Sequence, residues 1–357
     1  MNIGIIGLPQ TGKKSLFELL AGPGTARGRG EGRKTVRGVA EVQDPRLDRL
    51  VSIYSPKKQS RARMDILLPP TIEERAVTEG DIFRDLAEVE VFCHVVRAFA
   101  NDAVYHVSGS VDPGRDIAFV NTEFVLHDHL FIEKRLKRLD KDLMKKKDDA
   151  GKREKELLLK LGELLEKEQP LRQVHIPPEE EKIIKSYPLL SRRKMIVVLN
   201  VSDSDVGDHA LLEAMSERFS NSGIMMVQVA AEMELEIAAL ETVGERDEFM
   251  REMGIEDTAL HLLTAQCVEA LGLLSFFTAA PNEVRQWFLR RGAYAVDAAA
   301  QVHTDLARGF IRAEVISYAD LDELGSEEAV KAAGKLAVKG RDYVVNDGDT
   351  LFIRFNV

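Results

Sequence analysis

The chain has 357 residues, 45% of them hydrophobic and 30% charged, which supplies apolar material for two or three domains and excludes a mostly disordered protein. A formal net charge of -10 argues against wrapping duplex DNA by bulk electrostatics, and two distant cysteines, Cys93 and Cys267, give neither a disulfide framework nor zinc-ligand spacing. The apolar stretch Ala270 to Asn282 falls well short of the roughly 20 residues a membrane helix needs, and no signal-peptide n-region opens the chain, so a reduced cytoplasmic protein without a membrane span is expected.

Met1 to Gly7 is a short apolar run ending in glycine, the pattern of a buried strand entering a loop. Leu16, Phe17, Leu19 and Leu20 then predict a helix that stops at Gly22-Pro23-Gly24. Between them lies Gly7-Leu8-Pro9-Gln10-Thr11-Gly12-Lys13, a GxxxxGK in the strand-to-helix setting that a phosphate loop requires. The glycines let backbone N–H groups curve around a β-phosphate, the helix amino terminus adds positive potential, and the Lys13 ammonium reaches the β- and γ-phosphates. At the next position, where a Ser or Thr hydroxyl would ligate magnesium, stands Lys14. The first hydroxyl is Ser15, rotated by about 100° around the helix, which suits an α-phosphate contact but does not replace the missing ligand. Lys14 either repels magnesium, neutralises phosphate itself, or swings out to solvent.

From Arg27 to Arg63 there are 11 basic and 4 acidic residues, either an RNA-facing patch or a solvated loop. Val91 to Val96 and Met195 to Leu199 read as buried parallel strands with helical patterns between them, hence an α/β sheet. From His129 to Gln169, 13 basic and 10 acidic residues surround Ile132, Leu136, Leu139 and Leu143, then Leu157, Leu161 and Leu164, at steps of three and four. Two helices in an antiparallel coiled-coil hairpin, or one long solvated helix, satisfy this spacing; the break at Asp148-Asp149-Ala150-Gly151 favours the hairpin. After Leu271, Phe310 to Ile316 and Leu351 to Phe355 alternate with period two between turns, the texture of a small half-buried β domain.

The motifs in order resemble the YchF family of P-loop proteins, the Obg-like ATPases. The matching stretches are Gly7-Leu8-Pro9 with Gly12-Lys13, Asp44-Pro45-Arg46-Leu47-Asp48, His94-Val95-Val96-Arg97, Gly109 to Pro113, Asn121-Thr122-Glu123, Ser275 to Thr278, His303-Thr304-Asp305, Gly309 to Ile316, Asp347-Gly348-Asp349 and Arg354 to Val357. The resemblance implies an α/β fold: a Ras-like P-loop NTPase domain over 1-125 and 190-270, an inserted α-helical coiled-coil hairpin over 126-189, and a C-terminal ubiquitin-like β-grasp (TGS) domain over 271-357. It further implies ATP or GTP as ligand and the ribosome or structured RNA as partner, with a protein partner as the other option.

Site residues carry over one by one. The phosphate loop would use Gly7 to Lys13 with Lys14 and Ser15. Base recognition would fall on Asn200, Val201 and Asp203, where an ionised Asp203 suits guanine donors and Val201 in place of lysine suits an adenine-tolerant site, so ATP and GTP both stay open. Ala230 and Ala231 occupy the family's second base loop. Magnesium would draw on Asp65 through water and on Thr35; Leu68 stands where Asp-x-x-Gly carries glycine, followed by the stiff Pro69-Pro70. The protein is therefore at most a slow NTP hydrolase, and the alternative is a pseudo-NTPase adaptor without turnover. His94 and His303 are expected to be structural.

Overall fold

Ile3, Ile5 and Ile6 are all buried, as a central strand covered on both faces requires, and they form β1 (Asn2–Ile6). In the computed structural model the described residues are 1–25, 34–72, 85–101, 103–145, 148–240, 242–255 and 257–356. The chain continues through α1 (Lys13–Ala21), β2 (Val36–Glu41), α2 (Pro45–Tyr54), β3 (Gln59–Ser60), β4 (Arg63–Leu68) and β5 (Val91–Arg97). Next come α3 (Pro113–Lys145), α4 (Asp149–Glu166), α5 (Pro178–Ile184), β6 (Lys194–Asn200), α6 (Ala210–Arg218), β7 (Ile224–Val229), α7 (Ala231–Ala239), α8 (Val243–Glu252) and α9 (Ala259–Ala270). Two units are distinguished, Met1–Val39 with Asp65–Ala259, and Ala40–Met64 with Leu260–Val357.

The first sheet has the order β2-β4-β1-β5-β6-β7. Strand β1 is parallel to β4 and β5, and β6 and β7 continue the parallel set. Because the chain goes from β1 to β4 on one side and later to β5 on the other, the carboxyl end of β1 is the switch point where doubly wound sheets place ligands. The expected apolar runs are β5 and β6, and Phe92, Val96 and Val197 join Ile117, Val120 and Phe124 of α3 in one core.

Helix α3 serves two cores, since beyond Phe124 it packs Val125 and Ile132 against Leu157, Leu158, Leu161 and Leu165 of α4. His129 faces Glu166, Arg135 faces Glu154, and Leu143 faces Gly151, a falling register that makes the pair antiparallel. The Asp148 carboxylate accepts the Ala150 N–H and starts α4 as a helix separate from α3. Two details depart from the spacing argument. Leu165 rather than Leu164 enters the seam, and Leu126, where the inserted domain was expected to begin, lies inside α3 with no linker.

In the second unit β8 (Leu273–Ala279) and β9 (Val284–Arg290) form a hairpin. They are followed by α10 (Ala295–Val302), α11 (Thr304–Arg308), β10 (Phe310–Ile316), α12 (Tyr318–Leu324), α13 (Glu327–Ala332), β11 (Ala337–Lys339) and β12 (Thr350–Phe355). The order is β11-β10-β12-β8-β9-β3, with β12 parallel to β8 and antiparallel to β10. Neighbours in a strand face opposite sides. Phe276 accordingly packs with Ala295, Ala298 and Ala299 of α10, whereas Phe277 packs with Leu47 and Leu50 of α2. Residues 40–64, expected in the amino-terminal domain, thus supply this sheet with a covering helix and, through Gln59 opposite Val284, with an edge strand. No helix among the described residues is long and apolar enough to cross a membrane.

Candidate nucleotide site

The turn from β1 into α1 is built on backbone conformations that need glycine. Gly7 has φ 149° and Gly12 φ 90°, and a Cβ would strike the Val95 carbonyl oxygen at Gly7 and the Asn200 amide at Gly12. Gln10 takes φ 58°, a left-handed conformation that a non-glycine residue adopts at a cost. Thr11 Oγ1 donates to the Leu8 carbonyl at 3.2 Å, and both side chains are buried. Gly12 caps α1 with no side-chain hydrogen bond to the first turn, which leaves N–H groups and helix-dipole potential for an anion. Lys13 is buried with its ammonium donating to the Leu8 carbonyl, and burial, reinforced by the Lys14 charge, pulls its pKa down to about 7. A polyphosphate would offer that ammonium a better partner than a neutral carbonyl. Lys14 is exposed and Ser15 half-buried.

The base candidates divide. Asn200 ends β6 with its amide donating to the Thr11 carbonyl at 3.0 Å while its oxygen accepts the Ala231 N–H at 3.0 Å, so the side chain ties the phosphate loop to the start of α7. One amide hydrogen remains for a ligand. Asp203 is exposed at the head of a short 3-10 turn. Val201 and Ala230 instead lie in an apolar cluster with Met233 and Ile237, and Ala231 is buried with its N–H already engaged. All three side chains are buried.

Strand register corrects the metal assignment. Asp65 pairs with Asn2, and Gly7 lies five residues further along β1, roughly 16 Å away at about 3.3 Å per residue. The Asp65 carboxylate is 3.7 Å from the Met1 ammonium and 60% exposed, at the end of the sheet remote from the phosphate loop. Leu68 is the residue at the carboxyl end of β4, buried and followed by Pro69-Pro70, so no carboxylate stands where a strand-end metal ligand would. Thr35 donates its hydroxyl to Asp85. The basic segment is similarly committed: Arg37 pairs with Glu88, Arg46 with Asp44 and Asp347, Arg49 with Asp322, Lys58 with Glu283, Arg61 with Asp48, and Arg63 with Glu41. Arg27, Arg29 and Arg33 lie outside the described residues.

A loop follows β5 at the same edge of the sheet. The Ala98 N–H donates to the Asn200 carbonyl at 2.8 Å. The Arg97 guanidinium, 2% exposed, donates to the carbonyls of Phe99, Asn101 and Val104. His106 accepts the Ser108 N–H at Nδ1, which places its proton on Nε2, 3.0 Å from buried Asp116. A strand ending in arginine ahead of His and Asp ten residues apart is the sequence signal for this loop. His94 is fully buried in β5.

Comparison with known proteins covers the whole chain. The family model YchF-GTPase_C, described as a protein of unknown function (DUF933), matches residues 273–356. The ribosome-binding ATPase YchF of Bacillus subtilis is 37% identical over 367 residues, covering 100% of both chains. That of Haemophilus influenzae is 36% identical over 99% of each, and the Obg-like ATPase 1 of Rattus norvegicus is 32% identical over 100% of this chain and 92% of its own. A solved structure, the Schizosaccharomyces pombe YchF GTPase, superposes with a TM-score of 0.82 at 27% identity over 99% of this chain and 97% of that one. With a phosphate loop at the switch point and identity above 30% from end to end, the chain belongs to the YchF family of P-loop proteins, the Obg-like ATPases.

Proposed function

We propose that this protein binds a purine nucleotide, ATP or GTP, associates with the ribosome, and hydrolyses nucleotide slowly or not at all. The observation that carries the reading is the phosphate loop itself: two glycines whose positive φ and close neighbours strain any side chain, an uncapped α1 and a buried Lys13, in a chain that aligns throughout with proteins named ribosome-binding ATPases. Gly7 to Lys13 would anchor phosphate, Asn200 would brace the loop, and Asp203 would face the base. We read the α3–α4 pair as the family's inserted coiled coil, and the mixed sheet β8 to β12 as its β-grasp TGS domain, for which the parallel β8/β12 pairing is the support. Titration with fluorescent ATP and GTP analogues tests the assignment. Lys13→Ala is expected to lower affinity at least about 100-fold, the loss of a charge-assisted phosphate contact in a buried site. Unchanged affinity would remove the phosphate-loop reading.

The alternative, an adaptor without turnover, is favoured by one observation: β4 ends at Leu68 and is followed by Pro69-Pro70, which lack the N–H a γ-phosphate sensor donates. Titration with labelled ATP and GTP, with and without magnesium, separates the two: saturable binding favours the first reading and its absence the adaptor.

A further inference from the structure

Phosphate loops of this type ordinarily hold nucleotide with magnesium, liganded by the hydroxyl that follows the loop lysine and supported by a carboxylate at a neighbouring strand end. The residues here do not fit that ion. The hydroxyl position is Lys14, in the first turn of α1. The end of β4 is buried Leu68, and Asp65, three residues earlier, pairs with Asn2 far from the loop and lies beside the Met1 ammonium. Thr35, the other candidate ligand named from the sequence, donates its hydroxyl to Asp85. Ser15 lies about 100° around the helix from Lys14, on a different line of approach.

We infer that the site takes its nucleotide as the metal-free polyanion, with the Lys14 ammonium neutralising the phosphate charge that magnesium carries elsewhere. The inference rests on the nucleotide reading above and deepens it. Two consecutive cations, Lys13 buried within the loop and Lys14 exposed beside it, meet one ligand that carries several negative charges. A divalent cation entering with the nucleotide would add like charge next to Lys14, where neither residue 14 nor the end of β4 supplies a side-chain oxygen. A free polyphosphate relieves the repulsion between the two ammonium groups and engages the N–H groups of α1 at once. Lys14 also gives a clean test, since an exposed side chain can be changed without disturbing the core.

The experiment is calorimetric titration of the full chain with ATP and with GTP, once in excess magnesium and once in EDTA, for the parent, Lys14→Ala and Lys14→Ser. The parent is expected to bind in EDTA at least as tightly as in magnesium. Both variants should lose about tenfold in EDTA, the worth of one charge-assisted contact, with a smaller loss in magnesium. A tenfold or greater loss of parent affinity in EDTA overturns the inference. Equal EDTA affinity of parent and Lys14→Ala removes Lys14 from the role. Absence of binding in both conditions overturns the nucleotide reading and this inference with it, whereas magnesium-dependent binding sinks the inference alone. Thermal melts of the three proteins show whether any loss reflects unfolding.

Discussion

At the scale of single residues, His94 carries the largest unpaid polar burden near the phosphate loop. Its ring is fully buried, neither nitrogen has a hydrogen-bond partner, and burial first, then the Lys13 and Arg172 charges, pull its pKa down to about 3. The unfolded chain therefore takes up a proton between about pH 6.5 and 3 that the folded chain refuses. Stability associated with this group is full above pH 6.5 and declines as pH falls toward 3. His94→Leu should flatten that acid decline and leave stability at pH 7 equal or higher by up to about 1 kcal/mol, because it removes two unsatisfied nitrogens at little cost in volume. Urea melts at pH 7 and pH 4.5 check this; identical acid losses in parent and variant would clear His94 of the effect. The neighbouring glycines and Lys13 were legible from sequence because their chemistry is local. Asp65 was not, because spacing along a chain does not say which residue of β1 a strand will face. Only the pairing with Asn2 shows that Leu68, and not Asp65, ends at the ligand edge.

At the scale of elements, the apolar runs of β5, β6, β10 and β12 and the three-and-four spacing of the α3–α4 pair were readable because burial and period are printed in the sequence. The allegiance of α2 was not. Amphipathic spacing says that Leu47 and Leu50 are buried without saying against what, and the answer is Phe277, Val284 and Ile316 of the carboxyl-terminal sheet. Arg46 reinforces the attachment, donating to Asp44 and to Asp347 at 2.7 Å, while Gln286 donates to both Asp44 and Ser275. A chain ending at Leu271, the natural cut if 271-357 were self-contained, would strip the partners from α2 and expose its two leucines. Such a truncation should be aggregation-prone, whereas Arg46→Ala in the full chain should stay monodisperse and lose about 2 kcal/mol as Asp44 and Asp347 lose their shared cationic partner. Light scattering and denaturant melts distinguish these outcomes. A soluble, cooperatively melting truncation would contradict the placement of α2.

At the scale of the whole molecule, a chain of net charge -10 can meet ribosomal RNA only through local positive charge, and most of the cations between Arg37 and Arg63 are already neutralised by carboxylates of the same chain. The segment that looked uniformly basic therefore divides into paired cations and a remainder: the four residues Arg27, Arg29, Arg33 and Lys34, and Lys57. If the association proposed above engages RNA phosphates through that remainder, each contact releases about one counterion, and binding should weaken steeply as salt rises. Replacing those four residues with Ala should reduce the slope of log affinity against log salt by up to about 3, at roughly 0.7 to 0.9 per phosphate contact. Replacing Arg49 and Arg63 should leave the slope unchanged, since each spends its charge on Asp322 or Glu41. Co-sedimentation with purified ribosomes across a salt series measures both slopes. Equal slopes for the parent and the fourfold variant would move the RNA contact elsewhere on the chain, and failure to sediment at low salt, with and without nucleotide, would turn the search toward a protein partner.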